Sequence, residues 1–346
     1  MPIDPRVQIR FSLSRTEAWL LGAGVALVCF KLWLVSAQTI FAIGYANYDD
    51  ALYLKLADSL LQGEWLGPYD KFTLAHGPMY PLFIAAAYCL EVPLFTAQQL
   101  FYVLGCGLMV QALRPLVQRA GLRFGLFALL LFNPVTFDSI IYARVLRQDI
   151  IHSLVLLILA SGVGLYARSA APKRHMLPWA LIGGLAWPAF WLTREEGVWI
   201  LPCLGLLFLA AGVAVWRGRA PDRRARVALL ALPALLWAAG VGAVATINLR
   251  YYGVFTTCEL KQSDFNDAYG ALARITPAQW RPYIPVSRET RERLYAVSPA
   301  LCRAAAHLGR PGWRVLGGGL GDPDPPAKRT ARDCRRLVHV DVARGG

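Results

Sequence analysis

Apolar residues in this chain fall in long unbroken runs, not in the alternating or one-face patterns of a water-soluble core. Runs long enough to cross about 30 Å of hydrocarbon at about 1.5 Å per residue occur near 18–41, 96–117, 124–143, 150–167, 177–193, 197–215 and 227–249, which predicts about seven spanning helices. One further run, Met79 to Leu90, is short and bracketed by Pro78, Pro81 and Pro93. By length it reads either as a span or as a helix lying along the membrane surface. Charge separates the two readings. With 79–90 on the surface, the basic clusters Arg114/Arg119/Arg123, Arg168/Lys173/Arg174 and Arg217/Arg219/Arg223/Arg224/Arg226 all fall on the side of the N-terminus. With 79–90 spanning, the first two fall on the opposite side. Cytoplasmic loops carry the excess of lysine and arginine, so the surface helix is the expectation.

Arg6, Arg10 and Arg15 precede the first run, which is longer than the about 7–15 apolar residues of a secretion signal and is followed by further spans. It is expected to be an uncleaved first helix with a cytoplasmic N-terminus. The expected fold class is therefore all-α, a polytopic membrane helix bundle with surface-lying helices in the first external loop. Residues 1–250 form the membrane module, with the external loop at 42–95 and a helix over 49–62. Residues 251–308 form an extracytoplasmic segment with short helices, one of them N-capped near Ser287. From Gly309 to residue 346 the chain is rich in Gly, Pro and Arg without an apolar period, and disorder is expected.

Composition agrees with this. The 346 residues are 56% hydrophobic and only 17% charged, with a mean hydropathy of +0.41, too apolar for an ordinary soluble protein. The net charge of +14 could indicate nucleic acid, but its basic residues sit in short clusters between apolar runs, so no nucleic-acid partner is expected. Of the seven cysteines, Cys29, Cys89, Cys106 and Cys203 lie in apolar runs and read as small hydrophobes, whereas Cys258 and Cys302 lie in a polar segment where a disulfide is feasible. No P-loop, GxGxxG, HExxH, GxSxG or zinc spacing is present.

The charges that remain are the candidate chemistry, because charge against a bilayer is costly. Asp49 and Asp50, flanked by Tyr48 and Tyr53, follow the first run. A carboxylate there can accept a proton from an acceptor as general base; the plain alternative is an acidic first helical turn. His76-Gly77-Pro78, before Met79-Tyr80-Pro81, closes the same loop, and the histidine can bond a phosphate or assist proton transfer or simply start a helix. Arg144 and Arg147 lie within one helical turn, with Asp149 beyond them to orient one; they offer a fork for a lipid-linked phosphate or a snorkelling pair. Arg194-Glu195-Glu196 forms another turn, where the arginine can meet a phosphate and a glutamate a sugar hydroxyl. Lys261 can serve as a point charge on a phosphate, or stay solvated. The predicted topology puts all of these on the non-cytoplasmic side.

Together these motifs resemble the membrane-embedded GT-C glycosyltransferases, the superfamily that includes protein O-mannosyltransferases and aminoarabinose transferases. The resemblance covers residues 15 to 270. It rests on Asp49-Asp50 after the first span, His76-Gly77-Pro78 with Tyr80-Pro81-Leu82, Asn133-Pro134 followed by Arg144 and Arg147, and Thr193-Arg194-Glu195-Glu196. It implies a multi-pass protein of the cytoplasmic membrane and cell envelope, active at the extracytoplasmic face, that moves a sugar from a polyprenyl-phosphate donor to a glycan, lipid or protein acceptor. Asp49 or Asp50 would be the base, or the ligand of a divalent cation in metal-using members, and Arg144, Arg147 and Arg194 would bind the donor phosphate. Family members usually continue with further spans, so this chain is expected to correspond to a shortened N-terminal catalytic module. The competing expectations are a transporter or flippase-like protein whose charges line a pathway, and an inactive remnant of the catalytic module.

Overall fold

The computed structural model describes residues 15–38, 49–70, 72–137, 148–194, 197–218, 222–275 and 288–298, and every element among them is helical. The first compact unit runs through Leu260. It holds α1 (Arg15–Ser36), α2 (Asp49–Leu61), α3 (Met79–Cys89), α4 (Leu94–Leu113), α5 (Ala120–Leu131), α6 (Gln148–Ala167), α7 (Leu177–Trp191), α8 (Leu201–Arg217) and α9 (Arg223–Tyr252). The second unit begins at Lys261 and holds α10 (Ser263–Ala273) and α11 (Arg288–Val297). The residues that follow the last span up to Leu260 thus belong with the membrane module, and the expected tail at 309–346 lies outside the described residues.

Among the described residues, five helical stretches are long and apolar enough to cross a membrane: Arg15–Ser36, Leu94–Leu113, Ile150–Ala167, Gly197–Arg217 and Arg223–Tyr252. This is the architecture of a membrane-embedded protein. Two of the seven predicted spans come out shorter. In the run at 124–143 the helix Ala120–Leu131 gives way to a 3-10 turn at Pro134–Phe137, and residues 138–143 lie outside the described residues. Pro134 has no N–H to continue the helix and disfavours helical backbone at Asn133, whose side chain instead accepts the Val135 N–H at 3.1 Å. Other helices then take over the carbonyls left open at the end of α5. Lys31 Nζ donates to the Leu131 oxygen at 2.6 Å and the Tyr102 hydroxyl to the Leu130 oxygen at 2.7 Å. The run at 177–193 is a helix of 15 residues with Pro188 inside it.

Helix α6 is the centre of the bundle: 61% of its spanning window is buried, against 11% for α1 and for α9. It packs on α4, α7 and α8. Lipid tails are as apolar as leucine, so helices in a bilayer associate through close backbone approach at small residues. Gly105 of α4 lies against Ser153 and Leu156 of α6, and Gly164 of α6 lies so close to Trp179 of α7 that a Cβ there would stand 2.3 Å from the indole.

Side-chain bonds fix which helix ends lie together. Glu17 pairs with Arg123 at 3.8 Å and Lys31 reaches Leu131, so α1 and α5 are parallel. Helix α4 leads directly into α5 and runs against both. Arg168, just past α6, donates to the Gln111 oxygen at 2.8 Å and the Ala112 oxygen at 3.1 Å at the end of α4. Arg226, at the start of α9, donates to the carbonyls of Ser169 and Ala171, and Lys173 pairs with Asp222 at 3.6 Å. These bonds gather the basic loop clusters at one end of the bundle. Because α1 and α4 run in opposite directions, α3 does not carry the chain across; it packs on α2 and α4 at the far end, as a helix of 11 residues.

Candidate functional site

At the end opposite the basic loops, α2 divides its buried residues between two clusters. Leu52 and Leu56 pack with Leu66 and Leu74 under the first loop. Tyr53 and Ala57 enter a second cluster with Tyr80 and Ile84 of α3, Ile150 and Leu154 of α6, Phe190 of α7, and Ile200. Asp50 is three residues before Tyr53 and so shares its helix face; it is 1% exposed. Of the two adjacent acids, Asp50 therefore points into the bundle, at the junction of four helices. The Asp49 side chain lies outside the described residues, as does Tyr48.

Aromatic rings join the face of α2 that carries Asp50 to the predicted histidine turn. The Tyr53 ring lies 5.4 Å from the His76 ring and meets Tyr80 edge-on at 5.0 Å, separations at which such pairs attract. Gln98 of α4 donates to the Tyr80 hydroxyl at 3.0 Å. The turn itself docks on the predicted arginine turn, since the Met79 N–H donates to the Leu192 oxygen at 3.3 Å. At Gly77 only glycine fits: a Cβ would stand 1.9 Å from that same oxygen. Two residues on, Arg194 is half-buried, its N–H donating to the Phe190 oxygen at 3.0 Å. It lies within electrostatic range of His152 on α6. Thr193 is buried and donates to the Ala189 oxygen at 2.7 Å.

Three separately coded elements, Asp50, His76 and Arg194, are thus tied to one end of the bundle through a short chain of contacts. Asp149 belongs to the first turn of α6 at the same end, with its side chain outside the described residues. Arg144, Arg147, Glu195 and Glu196 also lie outside the described residues. Lys261 opens the second unit, and its side chain is not among those described. Sequence reasoning missed Gln98 and His152, each a polar residue inside an apolar run. It also gave no role to Asn248.

Asn248 anchors a strap that holds the first loop to the end of α9. It is fully buried, accepts from Trp65 Nε1 at 2.7 Å and donates to the Thr256 oxygen at 2.6 Å. The Tyr252 hydroxyl donates to the Gly67 oxygen at 2.9 Å and accepts the Leu66 N–H at 3.1 Å. The Glu259 N–H donates to the Leu74 oxygen at 2.9 Å, and Cys258 Sγ lies 3.1 Å from the Ala75 oxygen, immediately before His76. Cys302, its proposed disulfide partner, lies outside the described residues. Within the loop, burial pushes the Asp70 carboxyl up, but bonds from Lys55, the Phe72 N–H and the Thr73 hydroxyl outweigh it and hold the group below its usual range.

Tyr69 closes the strap with a 2.5 Å hydrogen bond to Glu259. That bond, and then partial burial, push the phenol up to about 12. An acid whose folded value is raised contributes stability that is complete below its ordinary value near 10 and is lost as pH climbs through the folded one. The strap is therefore expected to loosen between about pH 10 and pH 12. A phenolate absorbance titration with Tyr69→Phe as reference checks this; a Tyr69 that ionises with the ordinary tyrosines refutes it.

Among the described residues, no group of three or more His, Cys, Asp or Glu side chains is placed to hold a metal ion. Asp50 and His76 do not by themselves supply the ligand set that a divalent cation requires. Comparison with known protein families, with curated proteins and with solved structures gave no match.

Proposed function

We propose that this protein is an integral membrane glycosyltransferase of the GT-C type, transferring a sugar from a polyprenyl-phosphate donor to an acceptor at the end of the bundle that carries α2 and α3. The observation that carries this reading is that the elements bearing Asp50, His76 and Arg194 pack together at that end, opposite the basic loops. The positive-inside rule makes the basic end cytoplasmic, so the active end is extracytoplasmic and the membrane is the cytoplasmic one. About seven crossings then result if α5 and α7, both shorter than the others, also count as spans.

In this reading the acceptor oxygen forms a bond to the anomeric carbon while the bond from that carbon to the donor phosphate breaks. Asp50 accepts the acceptor's proton. The phosphate leaves with the bonding electrons, and Arg194, joined by Arg144 and Arg147, meets the charge that develops on it. His76 orients the acceptor or the phosphate. No nucleotide fold is needed, because the leaving group requires only positioning and neutralisation. An apolar cleft of about 350 Å³, lined by Trp187, Leu201, Leu204, Phe208, Leu230 and Ala234, supports the lipid part of the reading. It shares Leu204 with the cluster around Tyr53 and Tyr80.

The test is transfer of radiolabelled sugar from a polyprenyl-phosphate donor in proteoliposomes. Asp50→Asn is expected to lower the rate by roughly 10²–10⁴-fold, the usual contribution of a general base, while Asp49→Asn has a smaller effect. Wild-type rates in an Asp50→Asn protein, or a wild type inactive with every such donor, would remove the proposal.

A further inference from the structure

The basic end holds a second arrangement, independent of the proposed transferase chemistry. Three links meet there, and the bonds joining them occupy some cations and leave others. Arg123 pairs with Glu17 and Lys173 with Asp222, and these are the carboxylates found at this end among the described residues. Arg226 turns inward to Ser169 and Ala171. Arg168 is held rigidly, its two terminal nitrogens on the carbonyls of Ala112 and Gln111 and its guanidinium 4.7 Å from the Trp179 ring. Arg114 and Arg119, in the link between α4 and α5, are exposed. Burial, and after it the like charge of Arg114, pull the Arg168 guanidinium below its ordinary value. Because Arg168 is bonded to Gln111 and Ala112, it stands beside the segment that carries Arg114, with no carboxylate paired to either arginine among the described residues, while Leu116, Leu122, Leu177 and Leu181 stand exposed at the same end.

We propose that Arg114 and Arg168, with Arg119 from the same link, hold the phosphate of an acidic phospholipid, whose acyl chains lie along the exposed leucines. A phosphodiester accepts paired N–H groups from a guanidinium in its own plane, which the exposed Arg114 offers; Arg168, whose terminal nitrogens are held by carbonyls, contributes its charge, so that a phosphate placed between the two arginines replaces repulsion with two attractions. The leaflet supplies this group at the depth where the spans end, and each arginine near an anionic surface contributes about 1 kcal/mol, or roughly fivefold in binding.

The full chain in detergent is mixed with dioleoyl phosphatidylglycerol or phosphatidylcholine. Retained lipid is counted by native mass spectrometry and the unfolding temperature is followed in parallel. The wild type is expected to retain phosphatidylglycerol in preference to phosphatidylcholine and to be stabilised by it. Arg114→Gln with Arg119→Gln, both exposed and outside the bonds that join the links, is expected to reduce that preference by roughly tenfold or more. Arg217→Gln with Arg224→Gln, which keeps the same net charge change at the same end, is expected to leave it within about twofold. Equal retention of the two lipids overturns the proposal. So does an unchanged preference in the first double variant, an equal loss in the second, or the same stabilisation from inorganic phosphate alone.

Discussion

Alanine at position 77 is expected to cost about 3 kcal/mol of stability and to take transfer activity with it, because the added methyl group has nowhere to go. Its Cβ would stand 1.9 Å from the Leu192 oxygen, 2.6 Å from the carbonyl carbon and 3.2 Å from its Cα. All three are main-chain atoms, so no rotamer change relieves the clash. Either the histidine turn or the end of α7 must move, and each movement breaks the hydrogen bond from Met79 to Leu192. Pro78 restricts the backbone of residue 77 further, which closes off local adjustment. The consequence for function is specific. The segments that carry His76 and Arg194, more than a hundred residues apart in sequence, meet at this contact. A lowered midpoint in denaturant for Gly77→Ala, with loss of transfer in the fraction that stays folded, checks the expectation; a midpoint equal to the wild type refutes it.

Truncation of Lys31 to alanine is expected to lower stability by about 3 kcal/mol, and Lys31→Met by less, because methionine leaves no cavity. Lys31 is fully buried on α1, with its ammonium on the Leu131 oxygen at 2.6 Å, on Thr136 Oγ1 at 3.3 Å and 4.5 Å from the centre of the Tyr102 ring. It completes the open end of α5 and stitches the peripheral α1 to α4 and α5. Alanine removes the donor and leaves a cavity where the four-carbon stem lay. Methionine restores the volume and loses only the polar contacts, which cost about 1–3 kcal/mol when an acceptor is left buried and unmet. Unfolding in sodium dodecyl sulfate mixed micelles separates the two variants. An alanine variant that unfolds together with the wild type shows that α1 is held by packing alone.

Three elements of the candidate site stood out in the sequence because charge is conspicuous in so apolar a chain. The acidic pair, the histidine turn and the turn at Arg194 were each identifiable from cost alone, since such residues are rarely placed near a bilayer without use. Their place at the end away from the basic clusters followed from the predicted topology. What could not be read was which of the two acids turns inward. Neighbouring residues on a helix point about 100° apart, and the choice depends on where Tyr53 and Leu52 find partners. The strap was hidden for a similar reason: Trp65 and Asn248 are 183 residues apart, and neither stands out in its own segment. The end of α5 at Leu131 was hidden too, because the apolar run continues past the point where Asn133 and Pro134 end that helix, and the lysine and tyrosine that complete this end come from two other helices.

A hydropathy pattern records the transfer free energy of each residue separately. That sum determined by itself that the chain is helical and lies in a membrane, roughly where its helices run, and which loops share a side. Tertiary structure decided what depends on pairs: that Asp50 faces inward, that Gly77 lets the histidine turn dock on Leu192, that Lys31 closes α5, and that Asn248 pins the loop. Each of these rests on a contact between segments distant in sequence, whose energy exists only once the helices have packed.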